Sequence, residues 1–241
     1  MNPRRIEEAA LNAWPALQQI LHDGWLLRFA DGYTKRANSA NAIYAAELDL
    51  ADNVAFCERE YAARGLPPIF RLTPFAPEEL DAHLAAQGYR VLEPTLVMTR
   101  GLEDVPAPAA AEGRLAELPL DGWLAEYHRM RGTANSPAHR GMLRAIPSEC
   151  CYAVLMTDEG AAACGLGVRE GELLGIFDIV TDPLRRGQGY GTQLVQGLLG
   201  WAVARGARVA YLQVVEANEP ARRLYTRCGF AELYRYWYRV K

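Results

Sequence analysis

No stretch of this 241-residue chain approaches the ~18 consecutive apolar residues that cross a bilayer. The opening MNPRRIEEAALNAW mixes charges into its helical pattern where a secretory leader carries an unbroken apolar core, so a cytoplasmic protein without a membrane partner is expected. Metal-type spacing is missing as well. The five cysteines (Cys57, Cys150, Cys151, Cys164 and Cys228) are odd in number and form no zinc pattern, and Cys150-Cys151 are too close for an ordinary unstrained bridge. The four histidines show no ligand spacing either, so no metal is expected and the thiols read as buried groups in a reducing compartment. An excess of basic charge is also lacking. With 26 Lys and Arg against 29 Asp and Glu, the net charge of -3 provides no general field for a polyanion, and nucleic acid is not an expected partner. A hydrophobic content of 50% excludes disorder of the whole and suffices for one large or two small cores.

What the chain does contain is a stretch, Phe177 to Thr192, reading FDIVTDPLRRGQGYGT. An apolar strand pattern (Ile176, Phe177, Ile179, Val180) meets the turn signal Thr181-Asp182-Pro183, then three alternating glycines, then a helical run from Gln193. The first amides of a helix have no internal partners and sit at the positive end of its dipole, so this order builds an anion seat. Gly187, Gly189 and Gly191 remove side chains that would block a phosphate, and Arg185 and Arg186 add charge, which points to a pyrophosphate. No Gly-Lys-Ser/Thr ends the loop, and the third glycine follows the second by two residues, so neither a P-loop nor a dinucleotide fingerprint is present. A nucleotide-dependent oxidoreductase is disfavoured on that ground.

Read in order, residues 4–21 give a helical pattern with Pro15 as a kink or restart. A hairpin over 24–44, a helix ending at Gly65, a strand Ile69–Thr73, a helix Pro77–Gln87 and a strand Tyr89–Thr99 follow. The Pro- and Ala-rich run 101–113 has linker composition, separating a lobe at 1–100 from one at 114–241. Beyond it come helical patterns at 115–131 and 138–145, strands at 152–156, 161–168 and 173–180, the glycine loop, a helix to about 204, a strand 209–215, a helix 220–227 and a final strand 230–240. An ungapped shift of 141 residues lays Ala63-Arg64-Gly65 on Ala204-Arg205-Gly206 and Gly88-Tyr89 on Gly229-Phe230. Under that shift the glycine loop falls on Ala46 to Leu50, without glycine, and Tyr225 falls on Leu84, so a first-half copy would have no anion seat.

Arg186-Gly187-Gln188-Gly189-Tyr190-Gly191 resembles the acyl-CoA loop of the GNAT acetyltransferases, Arg/Gln-x-x-Gly-x-Gly/Ala. Asn218-Glu219-Pro220-Ala221-Arg222-Arg223-Leu224-Tyr225 with Gly229-Phe230 is similar to that superfamily's second signature. The resemblance implies a mixed α/β (α+β) fold, a mostly antiparallel twisted sheet flanked by helices, in two pseudo-repeated lobes of which the first is degenerate. It implies acetyl-CoA as co-substrate and transfer of its acetyl group to a primary amine, on a small molecule or a peptide. The strands flanking the loop would splay to admit the pantetheine arm, paired with backbone groups of Ile179, Val180 and Thr181. Amides from Arg186 to Thr192, including Gln188, would hold the pyrophosphate. Asn218 would lie near the thioester arm, and the Tyr225 hydroxyl by the sulfur.

An ammonium acceptor must lose a proton before it attacks, and the departing thiolate gains from a donor, so Tyr225 is the candidate acid. Asp178 and Glu216, flanking the expected slot, are the candidate bases, with a water chain as the alternative. Adjacent strand residues face opposite ways, so the face taken by Asp178 stays open. Phe177, His128, and Arg36 and Asn38 in the polar segment 33–39 are candidate acceptor contacts. A binding module that holds acyl-CoA without turnover is the rival reading, and the exposed edge of either lobe allows a homodimer.

Overall fold

The computed structural model describes residues 2–106 and 115–241. Helix α1 (Pro3–Ala13) starts at Asn2, whose side chain accepts from the Arg4 amide, with Pro3 in the first turn where a missing N–H is harmless. Pro15 ends this helix. A proline disfavours helical geometry in the residue before it, and Trp14 leaves the helix at φ -129, ψ 67. The second part of the expected 4–21 helix is therefore strand β1 (Gln18–His22), hairpinned to β2 (Trp25–Phe29). The expected extended piece at 33–44 contains a 3-10 turn, Lys35–Ala37, before the short β3 (Ala40–Ala42). Next come α2 (Leu50–Ala62), β4 (Ile69–Leu72), α3 (Leu80–Ala86) and β5 (Arg90–Gly101).

The second half opens with β6 (Leu115–Glu117), where a helix was expected. Pro119, at φ -56 and ψ 148, is the non-helical residue before the following helix α4 (Leu120–Arg131), and it biases Leu118 before it away from helical geometry. Then follow α5 (Pro137–Arg144), β7 (Glu149–Thr157), β8 (Gly160–Glu170), β9 (Leu173–Thr181), α6 (Tyr190–Val203), β10 (Val209–Val215), α7 (Glu219–Arg227) and β11 (Ala231–Val240).

The eleven strands among the described residues join one sheet in the order β1-β2-β3-β4-β11-β5-β10-β9-β8-β7-β6. Its pairings are antiparallel except β3–β4 and β9–β10. The centre is an exchange: β5, from the first half, lies between β10 and β11, and β11 lies between β4 and β5. Gly101, read as the start of a linker, ends β5 opposite Val209, and the Leu102 amide donates to the Arg208 carbonyl. Residues 107–113 of that linker lie outside the described residues.

Helices cover both faces. On one face α1, α4 and α5 bury Ile6, Trp14, Trp123 and Met142 against Phe177, Tyr211, Tyr234 and Tyr236. On the other, α6 and α7 cover β7–β10, and α2 and α3 cover β2–β4. The first helix packs on β8 and β9 of the opposite half, which brings first-half side chains to the strand before the glycine loop.

Candidate active site

Strands β9 and β10 pair only from Leu173↔Val209 to Ile176↔Leu212. Beyond that point β9 continues against β8 and β10 against β5, so their facing edges, 177–181 and 213–215, have no strand between them. The gap leads to a cavity of about 1220 Å³ lined by Ile179, Val180, Thr181, the glycine loop, Asn218 and Tyr225.

At the far end of the cavity α6 begins without a side-chain cap. Gly189 is its N-cap, and the first helix bond is donated by Gln193, which leaves the amides of Tyr190, Gly191 and Thr192 without helix acceptors. Asn2, Ser136 and Asn218, in contrast, cap α1, α5 and α7 with side-chain oxygens. Gly187 and Gly189 have φ of +78 and +82, a region costly for other residues, and a Cβ on Gly191 would come within 2.8 Å of Leu224. Arg185 is committed elsewhere, donating to Thr157 Oγ1 and to the carbonyls of Glu159 and Gly160, so it pins the loop to the β7–β8 turn. Arg186 lines the cavity and is exposed, with no ion pair among the described residues. Gln188 is exposed beside it, outside the lining.

The strand before the loop carries a β-bulge. Cys164 faces Val180 and Leu166 faces Phe177, so the single residue Gly165 faces both Asp178 and Ile179. Asp178 takes φ +50, a left-handed conformation that aspartate tolerates better than most residues. The extra residue breaks the in–out alternation and resolves which face Asp178 takes. Phe177 stacks on Trp14, while the Asp178 carboxylate reaches Tyr127 and His139 on α4 and α5, so both point to the same face. Ile179 packs on the opposite face, where it occupies the space a Cβ on Gly165 would need.

Asp178 is thus held at both oxygens. The Tyr127 hydroxyl donates to Oδ1 at 3.2 Å, and His139 Nε2 lies 2.8 Å from Oδ2. Around them, Tyr33 stacks on His139 at 4.9 Å and Arg131 lies over the Tyr127 ring. Burial raises the Tyr127 phenol far above its ordinary range, and the Asp178 charge adds to this. The same two causes push Tyr33 up to about 12, so both phenols stay protonated. His128 packs edge-on to His139 at 5.8 Å, its Nδ1 3.0 Å from Thr133 Oγ1, and burial lowers its pKa, with His139 adding to the effect.

The remaining predicted residues separate. Tyr225 lines the cavity from α7, and burial raises its phenol well above the ordinary value. Asn218 lines it too, with its side-chain oxygen accepting from the Ala221 amide. Glu216, just past β10, lies outside the lining, as Asp178 does, and pairs with Arg235 at 2.7 Å. Asn38 is consumed by its own loop: it accepts from Ala30 N and Gly32 N and donates to the carbonyls of Thr34 and Ala30, which leaves no group for a ligand. Arg36 lies over the rings of Trp14 and Phe177, and Phe177 is itself buried.

Residues 2–239 match the family described as "Probable histone acetyltransferase Rv0428c C-terminal". The chain belongs to this family. It is 30% identical to the uncharacterized N-acetyltransferase YobR of Bacillus subtilis, over 99% of this chain and 98% of that one. It is also 30% identical to the probable histone acetyltransferase Rv0428c of Mycobacterium tuberculosis, over 88% of this chain, which spans 65% of that protein. In fold it is similar to a GCN5-related N-acetyltransferase from Kribbella flavida, with a TM-score of 0.74, 17% identity, and 99% and 95% of the two chains covered. A tandem GNAT protein from the clavulanic acid biosynthesis pathway has a TM-score of 0.59 at 13% identity, with 83% and 74% covered.

The chain is therefore a GNAT-superfamily acyltransferase with a mixed α/β fold and a mostly antiparallel sheet. Among the described residues no cluster of His, Cys, Asp and Glu could hold a metal, and no helix is long and apolar enough to cross a membrane. In this GNAT chain His139, Tyr127, Tyr33 and Trp14 gather around Asp178 and Phe177, and neither His139 nor Trp14 is marked as a site residue by the sequence. Trp14 and Tyr33 come from the first half, and no periodicity links them to a strand more than 140 residues away. The cavity-lining Arg223 and Arg227 were readable as the basic turn of α7, one helical turn apart.

Proposed function

We propose that this protein transfers the acetyl group of acetyl-CoA to a primary amine. The observation that most supports this reading is the opening between β9 and β10 that ends on the unpaired amides of Tyr190, Gly191 and Thr192. Those amides, with Arg186 and Arg227, suit a pyrophosphate, and Gly191 sits too close to Leu224 and Thr181 to carry a side chain. The strand edge 177–181 suits the amides of a pantetheine arm. Asn218 and Tyr225 line the same cavity and suit the region near the thioester.

When bound, the thioester supplies an acyl carbon open to attack. Asp178 accepts a proton from the incoming ammonium, held for that purpose by Tyr127 and His139. As the C–N bond forms and the C–S bond breaks, the Tyr225 phenol, kept protonated by burial, donates its proton to the leaving sulfur, and the second proton lost from the amine nitrogen restores the phenol through solvent. The cysteines are poor nucleophiles. Burial pushes the Cys57 and Cys151 thiols up to about 12, and no cysteine lines the cavity.

The test combines calorimetric titration of acetyl-CoA with thiol release across a panel of primary amines. Wild type should bind acetyl-CoA and release thiol with at least one amine. Gly189→Asp should lose binding, because it places a side chain and a negative charge before the helix amides. Unaltered affinity in Gly189→Asp would sink the loop assignment, and binding without any acyl transfer would sink the enzymatic one.

A further inference from the structure

On the face shared with Asp178, the interior holds more positive charge than negative. Arg28, Arg36 and Arg71 cluster there around a single paired carboxylate, Glu7. Arg71 takes both oxygens of Glu7, and Arg28 donates to the carbonyls of Leu11, Trp14 and Arg36. Arg36 is half-buried and has no carboxylate partner among the described residues, only the Tyr236 phenol beside it. Its guanidinium lies 5.7 Å from the Trp14 ring centroid and 5.9 Å from that of Phe177, and its Nε is buried without a partner.

Gln213 Nε2 is a second buried donor without a partner, while the Tyr236 hydroxyl donates to Gln213 Oε1 at 2.9 Å. The positions of these groups matter. Phe177 and Gln213 are the first residues of β9 and β10 past the last pair, Ile176↔Leu212. Arg36 and Gln213 therefore flank the inner end of the gap, on the face where the Asp178 carboxylate also points. A buried guanidinium Nε–H and a buried amide N–H without acceptors are costly, and a carboxylate that accepts from both removes the cost.

We propose that the acceptor is an amine carrying its own carboxylate, an amino acid or a close relative. Its carboxylate would lie on Arg36 and Gln213 and its amine toward Asp178. This rests on the acetyltransferase reading of the site and names the acceptor class. One carboxylate holds the acceptor at the end remote from the reacting nitrogen, so Arg36 acts on binding more than on the chemical step.

The experiment compares matched pairs in the thiol-release assay: β-alanine with β-alaninamide, and 4-aminobutyrate with butylamine. The acid member of each pair should show kcat/KM about tenfold or more above its partner, as a charge-assisted bond implies. In Arg36→Gln that ratio should collapse toward one through a rise in KM for the acids, with Arg36→Lys restoring part of it. Equal kcat/KM within pairs in wild type, or a fall in kcat of the same size for acids and neutral amines in Arg36→Gln, would overturn the proposal.

A second measurement separates it from the acetyltransferase reading. Propionate is titrated calorimetrically into the CoA-bound protein. Binding by wild type that is lost in Arg36→Gln supports the carboxylate site even if no amine is acetylated. Absence of propionate binding by wild type, or binding left intact in Arg36→Gln, overturns the site even if amines are acetylated.

Discussion

His139 Nε2 lies 2.8 Å from Asp178 Oδ2, and the His139 side chain has no exposed surface. The imidazole is fixed by the aromatic rings of Trp14, Tyr33, Trp123 and Tyr127 on several sides. It therefore acts as a rigid stop for a carboxylate that a bulge has turned out of the strand's normal alternation. With Tyr127 on the other oxygen, Asp178 keeps one orientation, and its side chain remains 15% exposed.

Asp178→Asn tests this arrangement with little disturbance of the fold, since asparagine tolerates the left-handed backbone as well as aspartate does. The amide cannot take a proton. We expect kcat/KM to fall about 10²- to 10⁴-fold while acetyl-CoA affinity is kept, as for loss of a general base. Steady-state kinetics alongside calorimetry checks it, and undiminished turnover would move the proton acceptor to a water.

Tyr225→Phe removes one oxygen from the cavity wall and leaves the ring that packs on Phe230. Turnover should drop about ten- to a hundredfold or more, the range for losing assistance to the leaving group, with acetyl-CoA binding nearly unchanged. The drop should shrink with an acyl donor whose thiol is more acidic, because a better leaving group needs less help. The same loss with both donors would mean that the phenol acts on something other than the sulfur.

The glycine loop and α7 could be read from the sequence because their constraints are local. Three glycines before a helical run, and Asn-Glu-Pro before a Leu-Tyr turn, set backbone geometry within a few residues. The face of Asp178 could not be read, since it depends on a bulge that exists only when β9 pairs with β8 around Gly165. The exchange of β5 and β11 was hidden for a related reason. Each strand reads the same whichever neighbour it takes, and β11 alternates tyrosines toward one face in either pairing. Asn38 and Glu216 were chosen as polar residues near an expected cleft, but the hydrogen bonds that commit them elsewhere are tertiary. Pro15 misled in a simpler way, since hydrophobic spacing carried the pattern past a residue that ended the helix.

Asn38→Ala separates a structural pin from a substrate contact. The side-chain oxygen accepts at 2.7 Å from the amide of Ala30, a residue with no exposed surface. Removing it leaves that donor without an acceptor, at about 1–3 kcal/mol. The urea midpoint should fall accordingly with acetyl-CoA affinity retained, because the loop at 30–38 contributes nothing to the cavity lining. A variant of wild-type stability with impaired acceptor binding would return Asn38 to the site.

Glu7→Gln probes the buried charge beneath the proposed carboxylate seat, and pH supplies the sign. Burial alone would raise the Glu7 pKa, but Arg71, the Tyr234 hydroxyl and Arg28 together outweigh it and hold the carboxyl below its ordinary value. In the unfolded chain a glutamate takes up its proton near pH ~4.3, and the folded protein resists protonation until a lower pH. Between those values the unfolded state binds the extra proton, so the contribution of Glu7 is complete above the window and is lost as pH falls through it. At pH 7 the variant leaves Arg71 and Arg28 without their carboxylate and should be about 3–5 kcal/mol less stable. Below pH ~4 the unfolded wild-type chain takes up the proton that the folded protein resists, and the difference should narrow. Urea denaturation of both proteins from pH 7 to pH 3 measures it, and a gap that stays constant over that range would show that the Glu7 charge does not hold the cluster together.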